Sequence, residues 1–138
     1  MSPANPTPAA TLSVLVYSDD RDVRTAVRLA LGTRPSPELP AVEIHECATP
    51  TAAVERMDRG VDLAILDGEA VPAGGIGLCR QMKDETYNCP PILVLIGRPQ
   101  DAWLATWSRA DAVVPHPIDA MVLADSAAAL LRRRLVTA

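Results

Sequence analysis

Two short apolar runs of this chain each end in acidic residues, and this pattern restricts the fold more than any other feature. Leu12 to Tyr17 runs into Ser18-Asp19-Asp20, and Val61 to Leu66 runs into Asp67. Short Val, Ile and Leu runs without polar alternation are typical of strands buried on both faces of a parallel sheet. Because the functional crevice of such a sheet lies outside the carboxyl ends of its strands, these carboxylates are expected to share one acidic pocket.

Apolar strands alternate with amphipathic helices along the chain. Strands are predicted at residues 12–17, 42–47, 61–66, 92–96 and 112–115, and helices at 22–31, 51–59, 76–85, 100–109 and 119–134. This alternation indicates a single wound α/β sheet with right-handed crossovers. Pro115 cannot donate to a strand ladder, which favours an edge position for the last strand. The predicted fold is a flavodoxin-like five-stranded parallel sheet of order 2-1-3-4-5, flanked by five helices.

Length and composition predict one domain preceded by a short tail. With 138 residues, of which 49% are hydrophobic and 22% charged, the chain has the composition of an ordinary globular domain. Residues 1–11 form a polar, Pro-rich tail that is predicted to be disordered, and residues 12–138 form the domain. The net charge of −4 argues against nucleic acid as a partner. The lack of a signal-peptide or membrane-span pattern predicts a cytoplasmic protein without direct membrane insertion.

Three segments resemble the receiver domain of two-component response regulators, the CheY-like family. VDLAILDGEAVPAGGIGLCRQMKDE, at 61–85, resembles the receiver strand that ends in the phosphorylated aspartate, which places Asp67 at that position. VLVYSDDRDVR, at 14–24, resembles the first receiver strand with its acidic cluster, and RADAVVPHPI, at 109–118, resembles the fifth-strand segment. The resemblance covers nearly the whole chain. It implies a protein that is not an enzyme, apart from phosphoryl acceptance by Asp67 itself.

Three positions that serve phosphorylation in receivers hold other residues here. The resemblance implies that Ser18 replaces the first acid after strand one and that Ile96 stands at the Ser/Thr position after strand four. His116 stands at the position of the receiver lysine, and the single lysine of the chain, Lys83, belongs to the third predicted helix. Ile96 removes a hydroxyl donor, and histidine lacks the permanent charge of lysine at neutral pH. The sequence therefore predicts that the phosphorylation switch is broken.

The resemblance also implies how a metal ion would bind. Asp19 matches the principal Mg²⁺ ligand, Asp67 is the second carboxylate, and the backbone carbonyl of Glu69 would join them. A weak Mg²⁺ site and a vestigial acidic cluster both remain open as interpretations. No cofactor is predicted to be required.

Two tryptophans are candidates for a partner surface. Trp103 and Trp107 lie four residues apart on the predicted fourth helix and therefore share one face. Packing in the core and contact with a partner are both open, and the enrichment of tryptophan at interface hot spots favours contact. The resemblance implies that a protein partner binds the face formed by helix four, strand five and helix five.

Two functions are compatible with these observations. The first is a stand-alone, atypical receiver, a pseudo-receiver of actinobacterial type, that acts by contact without phosphorylation as an accessory module on a larger complex. The resemblance includes receiver-like proteins associated with the respiratory NADH:quinone oxidoreductase, which implies a place peripheral to a membrane complex. The alternative is a divergent phospho-accepting response regulator that signals in trans through Asp67.

Overall fold

The computed structural model describes residues 11–71 and 73–137, so that the predicted tail at 1–11 falls, except for Thr11, outside the described residues. Strands and helices alternate in this part of the chain. The strands β1 to β5 span Leu12–Tyr17, Val42–Cys47, Leu63–Asp67, Ile92–Ile96 and Ala112–Pro115. The helices α1 to α5 span Arg21–Leu31, Pro50–Asp58, Gly75–Glu85, Ala102–Trp107 and Ala120–Thr137.

The five strands form one parallel sheet in the order β2-β1-β3-β4-β5, which confirms the predicted fold and topology. Strands β3 and β4 are buried along their whole length. Strand β4 is apolar throughout and β3 is apolar up to its last residue, Asp67, as expected of central parallel strands. One apolar layer packs α1 and α5 on the sheet, and a second packs α2, α3 and α4 on its other face. Because all strands run the same way, their carboxyl ends meet at one end of the molecule, where a site can form.

Several predicted boundaries differ from those of the structure, and two of the differences have local reasons. Strand β3 begins at Leu63 rather than Val61, and Asp62 just before it binds the backbone N–H of Ser13 through Oδ2 at 2.8 Å. The helix predicted at 100–109 is divided into a 3₁₀ turn, Pro99–Asp101, and the six-residue α4. Arg109 has a φ of +65°, which a right-handed helix cannot include, so that α4 ends before it.

Helix α5 is the longest helix and packs along α1. Its first turn is capped by Asp119, whose Oδ1 accepts hydrogen bonds from the backbone N–H groups of Met121 and Val122. No helix in the described part of the chain combines the length and the apolar character needed to cross a membrane.

Candidate functional site

Asp67 lies in an open cleft of about 400 Å³ at the carboxyl end of the sheet. It is the last residue of β3, and only 2% of its surface is exposed. The cleft is lined by residues that follow four different strands or open α1: Asp19, Asp20, Val23, Asp67, Glu69, Gly97 and His116. The parallel sheet thus brings together the acids and the histidine that the sequence places at separate strand ends.

Both carboxylate oxygens of Asp67 are engaged by neighbouring groups. The Ser18 hydroxyl donates to Oδ2 at 2.7 Å, and the backbone N–H of Glu69 donates to Oδ1 at 2.9 Å. Nε2 of His116 lies 3.2 Å from the same Oδ1 and can donate to it when it carries a proton. A buried carboxylate is costly unless its oxygens are paired, and these groups provide that pairing.

The acids after β1 also accept hydrogen bonds from the backbone. Oδ1 of Asp19 accepts from the N–H of Val71 at 3.1 Å, and Oδ1 of Asp20 caps the start of α1. The Ser18 hydroxyl oxygen accepts from the N–H of Asp20 at 3.0 Å. Among the described residues, no group of three or more His, Cys, Asp or Glu side chains is placed to hold a metal ion. The predicted weak Mg²⁺ site, which uses two carboxylates and a backbone carbonyl, stays a prediction.

The ends of β4 and β5 bring neither a side-chain hydroxyl nor a lysine to Asp67. Ile96, at the end of β4, is 3% exposed, and its carbonyl accepts the backbone N–H of His116 at 2.8 Å. The peptide bond between His116 and Pro117 is cis. Lys83 contacts Asp111 with Nζ 2.6 Å from Oδ2, at the opposite end of the sheet, where β4 and β5 begin. The lysine of the chain is thus too far away to replace the one missing from the cleft.

The side chain of Glu69 lies at the mouth of the cleft. A Cβ atom added to Gly97 would overlap the Glu69 carboxylate, so that the glycine after β4 leaves room for it. The sequence predicted a role for the Glu69 backbone alone. The structure adds the Glu69 carboxylate to those of Asp19, Asp20 and Asp67, which makes the cleft more negative.

Tyr17 is a site residue that the sequence pattern does not identify. It is fully buried, and its hydroxyl donates to the carbonyl of Ala73 at 2.6 Å. Burial raises the pKa of Tyr17, and the negative charges of Asp19 and Asp67 raise it further, so that the hydroxyl keeps its proton. Together with the bond from Val71 to Asp19, this contact ties the loop after β3 to the end of β1. An aromatic residue in an apolar strand predicts core packing. The one sequence signal for a role at the site is the position of Tyr17 directly before the acidic residues.

Both tryptophans of α4 lie at the surface of the chain. Trp103 is 68% exposed and Trp107 51% exposed, while Ala105 between them is buried against the sheet. The guanidinium carbon of Arg80, from α3, lies 5.0 Å from the centre of the Trp107 ring, and Arg80 also donates to the Trp107 carbonyl at 2.8 Å. Both rings therefore lie outside the core, so that the core interpretation is wrong. Trp107 lies next to α3.

The chain is similar to known response regulators. No protein-family model matches it. Two uncharacterized response regulatory proteins of Mycobacterium tuberculosis, from strains CDC 1551 / Oshkosh and H37Rv, are each 54% identical over 128 residues. These residues cover 92% of this chain and 96% of each relative.

Solved receiver structures share the fold at low sequence identity. A CheY-like receiver domain protein from Methanospirillum hungatei matches with a TM-score of 0.76 and 15% identity, over 94% of this chain and 100% of that one. The BeF3-activated DrrB receiver domain matches with a TM-score of 0.74 and 17% identity, over 90% of this chain and 100% of that one.

A parallel sheet of order 2-1-3-4-5 with a nearly buried aspartate at the carboxyl end of its central strand is the arrangement of the receiver class. The identity to the mycobacterial relatives extends over almost their entire length. The chain belongs to the response regulators, as a receiver domain of the CheY-like family.

Proposed function

We propose that this receiver acts without phosphorylation, as a protein-interaction module on a larger complex. The supporting observation is the state of Asp67, whose Oδ2 is bonded by the Ser18 hydroxyl and whose Oδ1 by the Glu69 N–H and His116. A receiver aspartate must present a free oxygen to an incoming phosphorus atom. Here an attacking oxygen of Asp67 would first have to break hydrogen bonds that stabilise the buried carboxylate.

The electrostatics of the cleft support the same proposal. A phosphoryl donor is an anion, and it would meet the carboxylates of Asp19, Asp67 and Glu69 within one cleft. The permanent lysine charge that offsets this repulsion in receivers is replaced by the imidazole of His116, which is charged only when protonated. Ile96 offers no hydrogen bond to the product, so that phosphorylation would have no hydroxyl through which to move the β4–α4 region.

The proposed partner surface contains Trp103 and Trp107 and belongs to the face of α4, β5 and α5. Large aromatic rings bury much area at little cost in side-chain entropy, and their exposure leaves them available for contact. The Arg80 guanidinium beside Trp107 extends this surface toward α3 and adds a residue type that is also common at hot spots. The partner is proposed to be a protein complex, and the resemblance suggests a membrane-bound respiratory complex as one candidate. The receiver would be its peripheral, cytoplasmic accessory subunit.

Acetyl phosphate in the presence of Mg²⁺ tests the proposal directly. Intact-protein mass spectrometry is expected to show no stoichiometric phosphoryl addition to the natural chain. The matched control is the triple variant Ser18→Asp, Ile96→Thr and His116→Lys, which restores the receiver residues and should accept a phosphoryl group. Loss of that addition on further Asp67→Asn would locate it.

A second candidate function is phosphoryl acceptance through Asp67 with signalling in trans. It is favoured by the position of Asp67 in an open cleft and by Nε2 of His116 at 3.2 Å, where a protonated imidazole would offset part of the negative charge. Stoichiometric modification of the natural chain, abolished by Asp67→Asn, would establish this function. The same result would contradict the proposal of phosphorylation-independent action.

A further inference from the structure

A small pocket with basic walls lies at the opposite end of the sheet from Asp67, where β4 and β5 begin. It has a volume of about 140 Å³, and the residues that line it are Lys83, Cys89, Pro91, Asp111, Arg133 and Arg134. We call it the basic pocket. Three of these side chains are cations and one is an anion, in a chain whose net charge is −4. Positive charge is thus concentrated at one place on an acidic chain.

The carboxylate of Asp111 holds the basic pocket together. Its Oδ2 accepts the backbone N–H of Ile92 at 2.8 Å and lies 2.6 Å from Nζ of Lys83. Its Oδ1 lies 3.6 Å from Nη2 of Arg133. The side chains of Lys83 and Asp111 are only 15% and 18% exposed, so that both are fixed in place. Because donors face both of its oxygens, Asp111 positions the cations, and they offset its charge.

Arg134 brings a third cation to the basic pocket from α5. Its Nε lies 3.8 Å from Oδ1 of Asp62, the residue just before β3. A guanidinium has five N–H donors and an ammonium three, so that each of these cations can bind a carboxylate and a further oxyanion together. The helix dipole favours basic residues in the last turns of α3 and α5. It does not require that the cations of both helices line one cavity.

We infer that the basic pocket binds a small oxyanion, either inorganic phosphate or the phosphate group of a monoester. The planar forks of Arg133 and Arg134 match the oxygens of phosphate, and Lys83 adds a compact charge. A water molecule occupies about 30 Å³ in the liquid, so that a pocket of about 140 Å³ admits a tetrahedral anion. A monoester would leave its organic group in solvent. The inference does not depend on the proposed function, since Asp67 lies at the other end of the sheet.

Titration of the full chain with inorganic phosphate at constant ionic strength tests this inference. Amide signals in nuclear magnetic resonance spectra are expected to shift with saturation at Cys89, Asp111 and Arg133. The expected dissociation constant is about 1 mM, well within the limit for a ligand of five heavy atoms. Titration with methyl phosphate distinguishes the two sources. A monoester site binds methyl phosphate at least as tightly as phosphate, and a site for free phosphate binds it more weakly.

Two adjacent arginines of α5 provide matched variants. Arg133→Gln removes a cation from the basic pocket and is expected to raise the dissociation constant for phosphate about tenfold. Arg132→Gln is the control, because Arg132 contacts Glu38 and Ser36 instead of the pocket. It should leave the dissociation constant unchanged. Both arginine side chains are at least half exposed, so that both variants should fold.

Two results would overturn the inference. The first is a set of shifts that do not saturate or that appear equally at basic residues outside the pocket, such as Arg21, because these report unspecific attraction of an anion. The second is an equal dissociation constant for the natural chain and the Arg133→Gln variant.

Discussion

At the scale of single residues, Ser18 determines how Asp67 is held. Its hydroxyl donates to Oδ2 of Asp67 at 2.7 Å and accepts the backbone N–H of Asp20 at 3.0 Å. An acid at position 18, as the receiver pattern has, would place a second carboxylate against Asp67. Two carboxylates in contact would need a cation to offset their repulsion. The serine hydroxyl forms a hydrogen bond with Asp67 instead, and this bond needs no cation.

Substitution of Ser18 tests this role. Ser18→Ala is expected to lower the free energy of unfolding by about 1–3 kcal/mol, because one oxygen of a buried carboxylate loses its donor. Ser18→Asp should also destabilise the chain, and millimolar Mg²⁺ should restore stability to this variant but not to Ser18→Ala. Urea denaturation with and without Mg²⁺ measures both effects. The control is Ser18→Asp with Asp67→Asn, which removes the repulsion and should be insensitive to Mg²⁺.

At the scale of elements, the junction between β3 and α3 depends on a glycine. A Cβ atom on Gly75 would lie 2.7 Å from the carbonyl oxygen of Asp67 and 2.8 Å from the carbonyl carbon of Leu66. Helix α3 can therefore begin directly against the end of β3 only without a side chain at this position. Gly77, two residues further along the same helix, has no atom within 4 Å of such a Cβ.

These two glycines form a matched pair for mutation. Gly75→Ala is expected to lower the free energy of unfolding by about 1–3 kcal/mol, because backbone atoms of β3 must shift. Gly77→Ala should raise it by about 0.5–1 kcal/mol, since alanine loses less conformational entropy in a helix. Thermal or urea unfolding distinguishes the two. Equal effects of the two substitutions would contradict the close contact at Gly75.

The loop between α1 and β2 is joined to α5 by a pH-dependent contact. The Ser36 hydroxyl and the Arg132 guanidinium hold the pKa of Glu38 at about 2, below its ordinary value of 4.5. A lowered pKa means that the charged form stabilises the fold above pH 4.5 and that this contribution is lost as the pH falls through about 2. Glu38→Gln should therefore flatten the dependence of stability on pH in this acidic window. Denaturation curves at a series of pH values measure it, with the exposed Glu55→Gln as the control.

At the scale of the whole molecule, the two ends and the helical surfaces have separate chemistry. The carboxyl end of the sheet holds the acidic cleft, the opposite end holds the basic pocket, and α4 presents the tryptophans. Under the proposed function, the surface around Trp103 and Trp107 binds the partner, and Asp67 in the cleft stays unphosphorylated.

Removal of both tryptophan rings tests this arrangement. Trp103→Ala with Trp107→Ala is expected to change the free energy of unfolding by no more than about 1 kcal/mol, because both rings are exposed and one makes a cation contact. The same variant should weaken partner binding by ~2 kcal/mol or more. The amount of complex recovered with the tagged chain from its native cell, identified by mass spectrometry, measures this loss. Met121→Ala, at an exposed position of α5, is the control, and full recovery of the complex by the tryptophan variant would contradict the proposal.

The order of elements, the sheet topology and the location of Asp67 were predictable from the sequence. These features depend on local patterns: uninterrupted apolar runs for central strands, glycines after helices, and acids directly after strands. Strand β4 has the predicted limits because all of its residues are apolar and buried between two helical layers. The short α4 was less predictable, since a left-handed residue at Arg109 has no sequence signal of its own.

The hydrogen bonds of the site, in contrast, depend on the packed fold. Ser18 and His116 each lie 49 positions from Asp67, and no periodicity relates residues so distant in sequence. The same holds for the Glu69 carboxylate over Gly97 and for Tyr17 on the loop at Ala73. A sequence pattern shows which end of a strand a side chain follows. The direction of its bonds depends on which donors the packed sheet and helices bring within hydrogen-bond distance, and that is a property of the folded chain.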